Sequence, residues 1–264
     1  IQLDELPKPE SWSTYDKIVF PQQQWRIKHL LPREGFVIMA SPSGEKKTWT
    51  ALEMVRAIST ETPFLGNQDF ESWGGNVLYI DQEMPRAELQ KRGRMIGLND
   101  SRHSIWLLNI NYLNLGNEDT VDWLLEFIEE NSIDVVFLDT LRAIAGGLKE
   151  EKAEEVRMFF DRFKDLKNKG VCLVFLDHCR KPNFHEGKIP KKEQLFASQD
   201  NVASVEVLLM TRSEDGSGEI SIYQRKSRVS KETSPFRAIM EVDENEKVSI
   251  KYDGVIEDKE TKKE

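Results

Sequence analysis

The stretch GFVIMASPSGEKKTWTALEMVRAI, residues 35–58, predicts a strand, a turn and a helix in succession. Its first six residues, GFVIMA, form a continuous apolar run, which is typical of a strand buried on both faces. From Ala51 to Ile58 the apolar side chains recur at helical spacing, so we expect an amphipathic helix over about 47–60. The polar turn SPSGEKKT (41–48) separates the two. A buried strand that runs through a short turn into a helix indicates an α/β fold.

The same alternation continues along the chain. Further strands are predicted at 76–81, 105–110, 133–139 and 171–177, and further helices at 85–96, 121–128 and 156–163. Strands that alternate with helices in this way predict a parallel sheet covered by helices. After residue 200 four strand-like segments follow without a predicted helix: VASVEVLLM (202–210), EISIYQRK (219–226), FRAIMEV (236–242) and KVSIKY (247–252). We interpret them as a meander of antiparallel strands that extends the same sheet.

One domain accounts for most of the 264 residues. Residues 1–24 contain Pro7 and Pro9 and show no sustained period, so an irregular N-terminal arm is expected there. Residues 25–252 carry the α/β pattern. Residues 253–264 end in EDKETKKE and are predicted to form a charged, disordered tail.

Composition excludes several classes of protein. Hydrophobic residues make up 39% and charged residues 31% of the chain, which is typical of a globular protein and not of a disordered one. No apolar run approaches the roughly 18–20 residues that span a bilayer, so no membrane association is expected. The N-terminal stretch has acidic residues and no apolar segment, so it does not predict a signal peptide. Cys172 and Cys179 are too few for a disulfide framework, so we expect buried or free thiols and a cytoplasmic setting.

Basic residues are unevenly distributed along the sequence. The formal charge of −9 disfavours non-specific nucleic-acid binding by the chain as a whole. Residues 180–192, however, carry five basic residues against the single acid Glu186, and residues 225–231 carry four basic residues and no acid. Such clusters indicate local surfaces that suit an anionic partner.

The turn between the first strand and its helix is a candidate phosphate-binding loop, because the N–H groups of a helix N-terminus converge on an anion there. The usual pattern is G-x-x-x-x-G-K-[ST]. Aligned on Lys47 and Thr48, this sequence has Ser41 and Lys46 where the two glycines belong and retains Gly44. The candidate nucleotide-binding residues are Ser41, Pro42, Ser43, Gly44, Glu45, Lys46, Lys47 and Thr48. The alternative is an ordinary solvated turn between a strand and a helix.

Each half of the candidate loop has a predicted task. Lys47 is expected to reach the β- and γ-phosphates, and the Thr48 hydroxyl is expected to ligate Mg²⁺. Lys46 must adopt a backbone conformation that glycine takes readily, which costs about 1 kcal/mol if its φ is positive. The loop therefore predicts nucleotide binding more strongly than nucleotide hydrolysis.

Three titratable residues follow predicted strands, at the sheet edge where open α/β folds bind ligands. Asp139 ends IDVVFLD and is predicted to support Mg²⁺ beside the phosphates, or alternatively to cap the following turn. Glu83 lies just past LYID and is predicted to orient and deprotonate the attacking water, with Asp81 as the competing candidate. His178 follows VCLVFLD and is predicted to contact the γ-phosphate, or alternatively to make a structural hydrogen bond.

At these residues the sequence resembles the RecA-like P-loop ATPases, and within them the RepA-like and DnaB-like hexameric helicase group. LYIDQEMPRAELQKR (78–92) is similar to that group's strand with its catalytic glutamate, and IDVVFLDTLRAI (133–144) resembles its Walker B strand. VFLDHCRK (174–181) resembles the strand that ends in a γ-phosphate sensor, and QRKSR (224–228) resembles the K-x-R element. The resemblance covers about residues 25–240. It implies a RecA-like fold, a mostly parallel twisted sheet with helices on both faces, extended by C-terminal antiparallel strands.

The resemblance also implies partners. It implies a homo-oligomeric ring or filament, a hexamer above all, with ATP and Mg²⁺ between subunits and Lys226 and Arg228 reaching the nucleotide of a neighbour. Alternatively, these two cations only make an exposed strand soluble. Single-stranded DNA would be contacted by the loops Leu141–Glu151 and Arg180–Gln199. The candidate nucleic-acid residues are Arg142, Arg180, Lys181, Lys188, Lys191 and Lys192, and ordinary solvated loops are the alternative.

Three functions are compatible with the sequence. The first is an ATPase that couples ATP hydrolysis to nucleic-acid binding or unwinding in replication or recombination, with an activity weakened by the atypical phosphate loop. The second is a degenerate binding module with little or no turnover. The third, on the same fold, is a KaiC-like regulatory ATPase or kinase.

Overall fold

In the computed structural model, residues 9–19, 22–146, 153–181, 189–195, 199–213 and 216–257 are described. The strands are β1 Trp25–Ile27, β2 Leu31–Pro32, β3 Gly35–Ser41, β4 Asn76–Asp81, β5 Ile105–Asn109, β6 Ile133–Asp139, β7 Cys172–His178, β8 Val207–Arg212, β9 Glu219–Ser227, β10 Phe236–Val242 and β11 Val248–Val255. The helices are α1 Trp12–Tyr15, α2 Lys47–Thr60, α3 Arg86–Met95, α4 Glu118–Glu130, α5 Leu141–Ile144, α6 Ala153–Asp161, α7 Lys164–Asn168 and α8 Gln199–Ser204.

Nine strands form one sheet in the order β11-β10-β9-β8-β3-β7-β6-β4-β5. The six strands from β8 to β5 in this order are parallel to one another. The strands β8, β9, β10 and β11 then continue the sheet as an antiparallel meander. β1 and β2 form a separate small antiparallel pair. This is the predicted RecA-like sheet, mostly parallel and extended by C-terminal antiparallel strands.

Helices cover both faces of the sheet, as predicted. Successive side chains of a strand point to opposite faces, so a continuous apolar run such as β3 supplies two cores at once. On one face Met54 of α2 shares a buried core with Val37 of β3. On the other face Leu124 of α4 and Phe159 of α6 share a core with Phe175 of β7. The sheet is therefore held rigidly, and its strand ends have fixed positions.

The region after residue 200 differs from the sequence prediction in two ways. The segment 199–204, part of which was predicted to be strand, is the helix α8. The strand that follows, β8, pairs in parallel with β3 from Val37↔Val207 to Ala40↔Met210, so the meander begins only at β9. The prediction of uniformly antiparallel strands was wrong there, because β8 fills the free edge of β3.

The two ends of the chain also carry more regular structure than predicted. The arm contains the single helical turn α1, capped by the Ser11 side chain on the Thr14 amide. β11 extends three residues into the segment predicted to be a tail, because Val255 pairs with Phe236. Among the described residues, no helix has the length and apolar character needed to cross a bilayer. Cys172 and Cys179 are buried free thiols, as predicted, and burial raises the pKa of Cys172 to about 12.

Candidate nucleotide-binding site

The strands β3, β7, β6 and β4 end side by side at one edge of the sheet, which we call the carboxyl edge. Ser41 is in register with His178, and Asp81 is in register with Asp139. The loop 41–48 leaves β3 at this edge and leads into α2. The predicted phosphate loop, metal carboxylate, base and γ-phosphate sensor are therefore neighbours in the structure.

The Asp139 carboxylate lies at the centre of the site. Its Oδ1 is 3.2 Å from Nζ of Lys47, and its Oδ2 accepts a hydrogen bond of 3.2 Å from the Thr48 hydroxyl. Both Lys47 and Asp139 are almost fully buried, so their ion pair is weakly screened by solvent. The structure thus brings together the two loop residues and the acid that the sequence predicted.

Tyr79 is a member of the site that the sequence did not predict. Its hydroxyl donates to Oδ2 of Asp139 at 2.9 Å, and its ring is stacked on Phe137. Burial and the Asp139 charge raise the pKa of Tyr79 well above its usual value, so the phenol keeps its proton and remains a donor. The only sequence signal was a tyrosine in a buried strand, two residues before the strand end.

The phosphate loop has the backbone shape of a tight anion-binding turn. Gly44 has φ 84°, and Lys46 has φ 57° and ψ 20°, so both lie in the left-handed region. Lys46 therefore takes the positive φ that glycine would adopt at lower cost. Lys46 caps the N-terminus of α2, and the first-turn amides of a helix have no intrahelical acceptor. These amides and the positive end of the helix dipole suit a phosphate group.

Glu83 and His178 form a pair beside Asp139. Nε2 of His178 lies 2.9 Å from Oε1 of Glu83, and about a third of each side chain is exposed. The hydrogen bond from His178 and the charge of Lys47 lower the pKa of Glu83 against the effect of its partial burial. Glu83 is therefore ionised at neutral pH and can accept a hydrogen bond from a water molecule.

Asp81, the competing candidate for the base, has a structural position. Its side chain is fully buried, and its Oδ1 accepts from the amides of Glu83 and Met84 at 2.8 and 3.1 Å. Burial raises the pKa of Asp81. Asp81 shapes the turn that carries Glu83 to the carboxyl edge.

The donor set fits Mg²⁺. A threonine hydroxyl and a carboxylate that approach each other within 3.2 Å are the oxygen ligands that Mg²⁺ prefers, and Mg²⁺ keeps several waters in such sites. Lys47 is close enough to release Asp139 to the metal and to turn toward a phosphate. Thr48 and Asp139 are the residues that would hold the ion.

Residues 3–183 match the family model of the AAA domain, which is more than half of the chain. The chain belongs to the AAA domain family.

Two solved structures place this AAA domain among known folds. A separately solved ATPase domain is similar with a TM-score of 0.59 and 12% identity over 78% of this chain and 81% of that chain. A DnaB-like replicative helicase, solved with attention to its interactions with primase, is similar with a TM-score of 0.59 and 12% identity. That match covers 82% of this chain but 57% of the helicase chain. No curated protein sequence matches this one. The fold is that of the RecA-like P-loop ATPases, in the form found in DnaB-like ATPase domains.

Lys226 and Arg228 of this AAA domain lie away from its own phosphate loop. Arg228 is level with Glu206, which is level with Phe36 of β3. Phe36 is five residues before Ser41, or about 17 Å along the strand. Arg228 is exposed, whereas Nζ of Lys226 donates to the carbonyl oxygens of Val202 and Ala203. We call this side of the sheet the amino edge.

The described basic loop residues lie at the carboxyl edge. Arg142 is exposed on α5, directly after β6 and Thr140. Arg180 follows β7, and its amide donates to the Gln194 carbonyl at 2.8 Å, so the returning loop with exposed Lys191 and Lys192 is held beside it. Lys181 is exposed next to Arg180. Lys188 lies outside the described residues.

The side chains of Glu45 and Lys46 leave the loop in a direction that the sequence did not predict. Both contact the connection between β8 and β9, at Ser213. Arg212, at the end of β8, is also at this point, with Nη1 3.8 Å from Glu45 and Nη2 donating to the buried Gln194 amide oxygen. No sequence motif marks Arg212 or Ser213, because they become neighbours of the loop only through the pairing of β8 with β3.

Proposed function

We propose that this protein is an oligomeric ATPase that hydrolyses ATP at Lys47 and Thr48 and couples hydrolysis to the binding or unwinding of single-stranded nucleic acid. The observation that carries the proposal is the Asp139 carboxylate, held between the ammonium of Lys47 and the hydroxyl of Thr48. A lysine, a hydroxyl and an acid in this arrangement are the parts that bind a triphosphate and its Mg²⁺ in P-loop enzymes.

The loop and the strand ends supply positioning and charge. The first-turn amides of α2 and Lys47 bind the phosphates, and Thr48 and Asp139 hold the metal. Bound Mg²⁺ neutralises charge that develops on the phosphate oxygens. Tyr79 fixes the orientation of Asp139 through its hydroxyl. Phosphoryl transfer depends mainly on such positioning and electrostatic stabilisation.

Glu83 orients the attacking water and accepts its proton. Its lowered pKa keeps it ionised, which makes it a ready acceptor although a weaker base than an unperturbed glutamate. His178, hydrogen-bonded to Glu83, is the group that contacts the γ-phosphate. Loss of that phosphate would change the His178–Glu83 contact and so report the state of the nucleotide to the loop after β7.

Two further features support the action on nucleic acid. Arg142, Arg180, Lys181, Lys191 and Lys192 are on loops that leave the carboxyl edge beside His178. Cations on neighbouring loops suit a phosphate backbone, whose recognition is mostly electrostatic. One of the similar structures is named as a DnaB-like replicative helicase.

The position of the two remaining cations supports the oligomer. Lys226 and Arg228 are at the amino edge, too far from the phosphate loop of their own chain to contact its nucleotide. If they stabilise charge on the γ-phosphate, as arginine fingers do, they act on a neighbouring subunit. A hexameric ring is the arrangement that we propose.

The test measures ATP binding and turnover for the wild-type protein, Lys47→Ala and Glu83→Gln, each with and without single-stranded DNA. Lys47→Ala should abolish binding. Glu83→Gln should bind ATP normally and lower kcat by at least about 100-fold, because it removes the proton acceptor. Glu129→Gln, an exposed carboxylate at the end of α4, is the matched control and should have wild-type turnover.

Each competing function gives a different outcome. Turnover that is unaffected by Glu83→Gln would remove the base from the mechanism. ATP binding by a wild-type protein that shows no turnover would favour the degenerate module. Nucleotide-dependent oligomers whose turnover is not stimulated by DNA would favour the regulatory ATPase.

A further inference from the structure

The side chain of Lys46 ends on the connection between β8 and β9. Its Nζ donates to Oγ of Ser213 at 2.5 Å and to the carbonyl oxygen of Ser217. These acceptors are fixed within the hairpin itself. The Ser213 hydroxyl donates to the Glu219 carbonyl at 2.7 Å, and the Glu219 amide donates to the Ser217 hydroxyl at 2.9 Å. Lys46 therefore contacts a well-ordered acceptor pair.

The preceding loop residue makes a second connection to the same point. Oε2 of Glu45 accepts from the amide of Ser213 at 3.2 Å and lies 3.8 Å from Nη1 of Arg212. The side chains of Glu45 and Arg212 are only 14% and 12% exposed, so this ion pair is weakly screened. Two consecutive residues of the phosphate loop are thus joined to one hairpin connection.

We propose that Lys46 is a positioning residue, which with Ser213 and Ser217 forms a clasp that holds the phosphate loop in its nucleotide-binding shape. A glycine at this position would allow the turn but would leave the loop free to take other conformations. Lys46 accepts a strained left-handed backbone, at φ 57°, and gains charge-assisted hydrogen bonds in return. The loss of the usual glycine is then a tether and not a defect.

The proposal rests on the proposed nucleotide site and gives Lys46 a task distinct from that of Lys47. A direct contact between Lys46 and a phosphate would require its ammonium to leave both Ser213 and Ser217. The clasp acts through the loop backbone, which binds ATP and ADP alike. Direct contact with the terminal phosphate would instead favour ATP over ADP.

The experiment measures the affinity of the folded full chain for MgATP and MgADP in the variants Lys46→Met, Ser213→Ala and the double variant. Lys46→Met should weaken both nucleotides by about tenfold, as expected for a lost charge-assisted hydrogen bond. Ser213→Ala should weaken both by a smaller factor. The double variant should bind no more weakly than Lys46→Met, because both changes break one interaction. Lys46→Arg, which keeps the cation, should retain most of the affinity.

Two further variants separate the outcomes. Lys91→Met, an exposed lysine on α3, is the matched control and should bind as the wild type does. Lys46→Gly restores the usual loop residue and should nevertheless bind more weakly than the wild type. Wild-type affinity in Lys46→Gly would overturn the clasp. So would additive losses in the double variant that affect ATP more than ADP, since these indicate direct phosphate contact. A folded wild-type protein that binds no nucleotide would overturn the proposed function as well, whereas failure of the clasp alone leaves wild-type binding intact.

Discussion

Tyr79 donates its hydroxyl to Asp139 from inside the core, so this phenol determines where the carboxylate points. Tyr79→Phe removes one oxygen and leaves the stacked ring in place. We expect the free energy of unfolding to fall by about 1–3 kcal/mol, because a hydrogen bond to a charged acceptor is lost. We also expect the Mg²⁺ concentration for half-maximal turnover to rise about tenfold, since groups that orient a metal ligand affect metal affinity to this extent.

The control for this prediction is Tyr252→Phe. Tyr252 is on β11, at the opposite end of the sheet, where it packs against Phe236. The same atom is removed there, far from Asp139. An unchanged Mg²⁺ dependence in Tyr79→Phe would show that the orientation of Asp139 does not depend on the tyrosine.

At the residue scale, the sequence predicted the parts of the site that follow chain order. Lys47, Thr48 and Asp139 were predicted because a strand followed by a turn or an acid has the same meaning wherever it occurs, and the structure brings them together. Tyr79 was missed because a buried aromatic residue in a strand has the same pattern whether or not its hydroxyl has a partner. The Lys46–Ser213 contact was missed because 167 positions separate the two residues.

At the scale of the element, α2 carries a buried ion pair that supports the phosphate loop from behind. Glu53 is almost fully buried, and both of its oxygens accept from Arg56, at 2.6 and 2.7 Å. Arg56→Met leaves this carboxylate buried without a cation. We expect the free energy of unfolding, measured in urea, to fall by about 3–5 kcal/mol at neutral pH.

The pH dependence of this loss tests its cause. Burial raises the pKa of Glu53, and the contacts with Arg56 oppose the rise, so in the variant the pKa is higher still. A raised folded-state pKa means that the folded chain binds the proton more tightly than the unfolded chain. The deficit of Arg56→Met relative to the wild type should therefore shrink as the pH falls from about 7.5 to about 5. A deficit that is constant over this range would contradict the assignment to Glu53.

A surface pair provides the comparison for Arg56→Met. Lys169 and Glu129 lie 2.9 Å apart with most of each side chain exposed. Lys169→Met should change the free energy of unfolding by less than about 1 kcal/mol, because solvent screens exposed pairs.

Elements were predicted well where one pattern determined them. Continuous apolar runs predicted the strands β3, β4, β6 and β7, because a strand buried on both faces has no polar side to show. The segment 202–210 was also apolar, yet it divides into the end of α8 and the strand β8. Pairing with β3 begins only at Val207, so the residues before it have no strand partner. Tertiary context decided this boundary, and local propensity could not.

At the scale of the whole molecule, the two edges of the sheet divide the predicted active site between subunits. Glu83 is at the carboxyl edge, whereas Arg228 is exposed at the amino edge. One chain cannot bring the two together, but neighbouring chains in a ring can. The in-trans role therefore predicts complementation between two variants that are each inactive.

Glu83→Gln lacks the base and keeps the cation, and Arg228→Ala lacks the cation and keeps the base. When the two are co-expressed in equal amounts, random assembly gives each interface an intact Glu83 and an intact Arg228 in roughly a quarter of cases. ATP turnover should recover to about that fraction of the wild-type rate, because each complete interface works as an active site. A mixture of Glu83→Gln with Lys47→Ala should recover nothing, because both changes disable the carboxyl edge and the Arg228 of each chain then faces a damaged site. Recovery in neither mixture, or a strictly monomeric mass with MgATP, would contradict the in-trans role, and Arg228 would then serve only to keep the amino edge soluble.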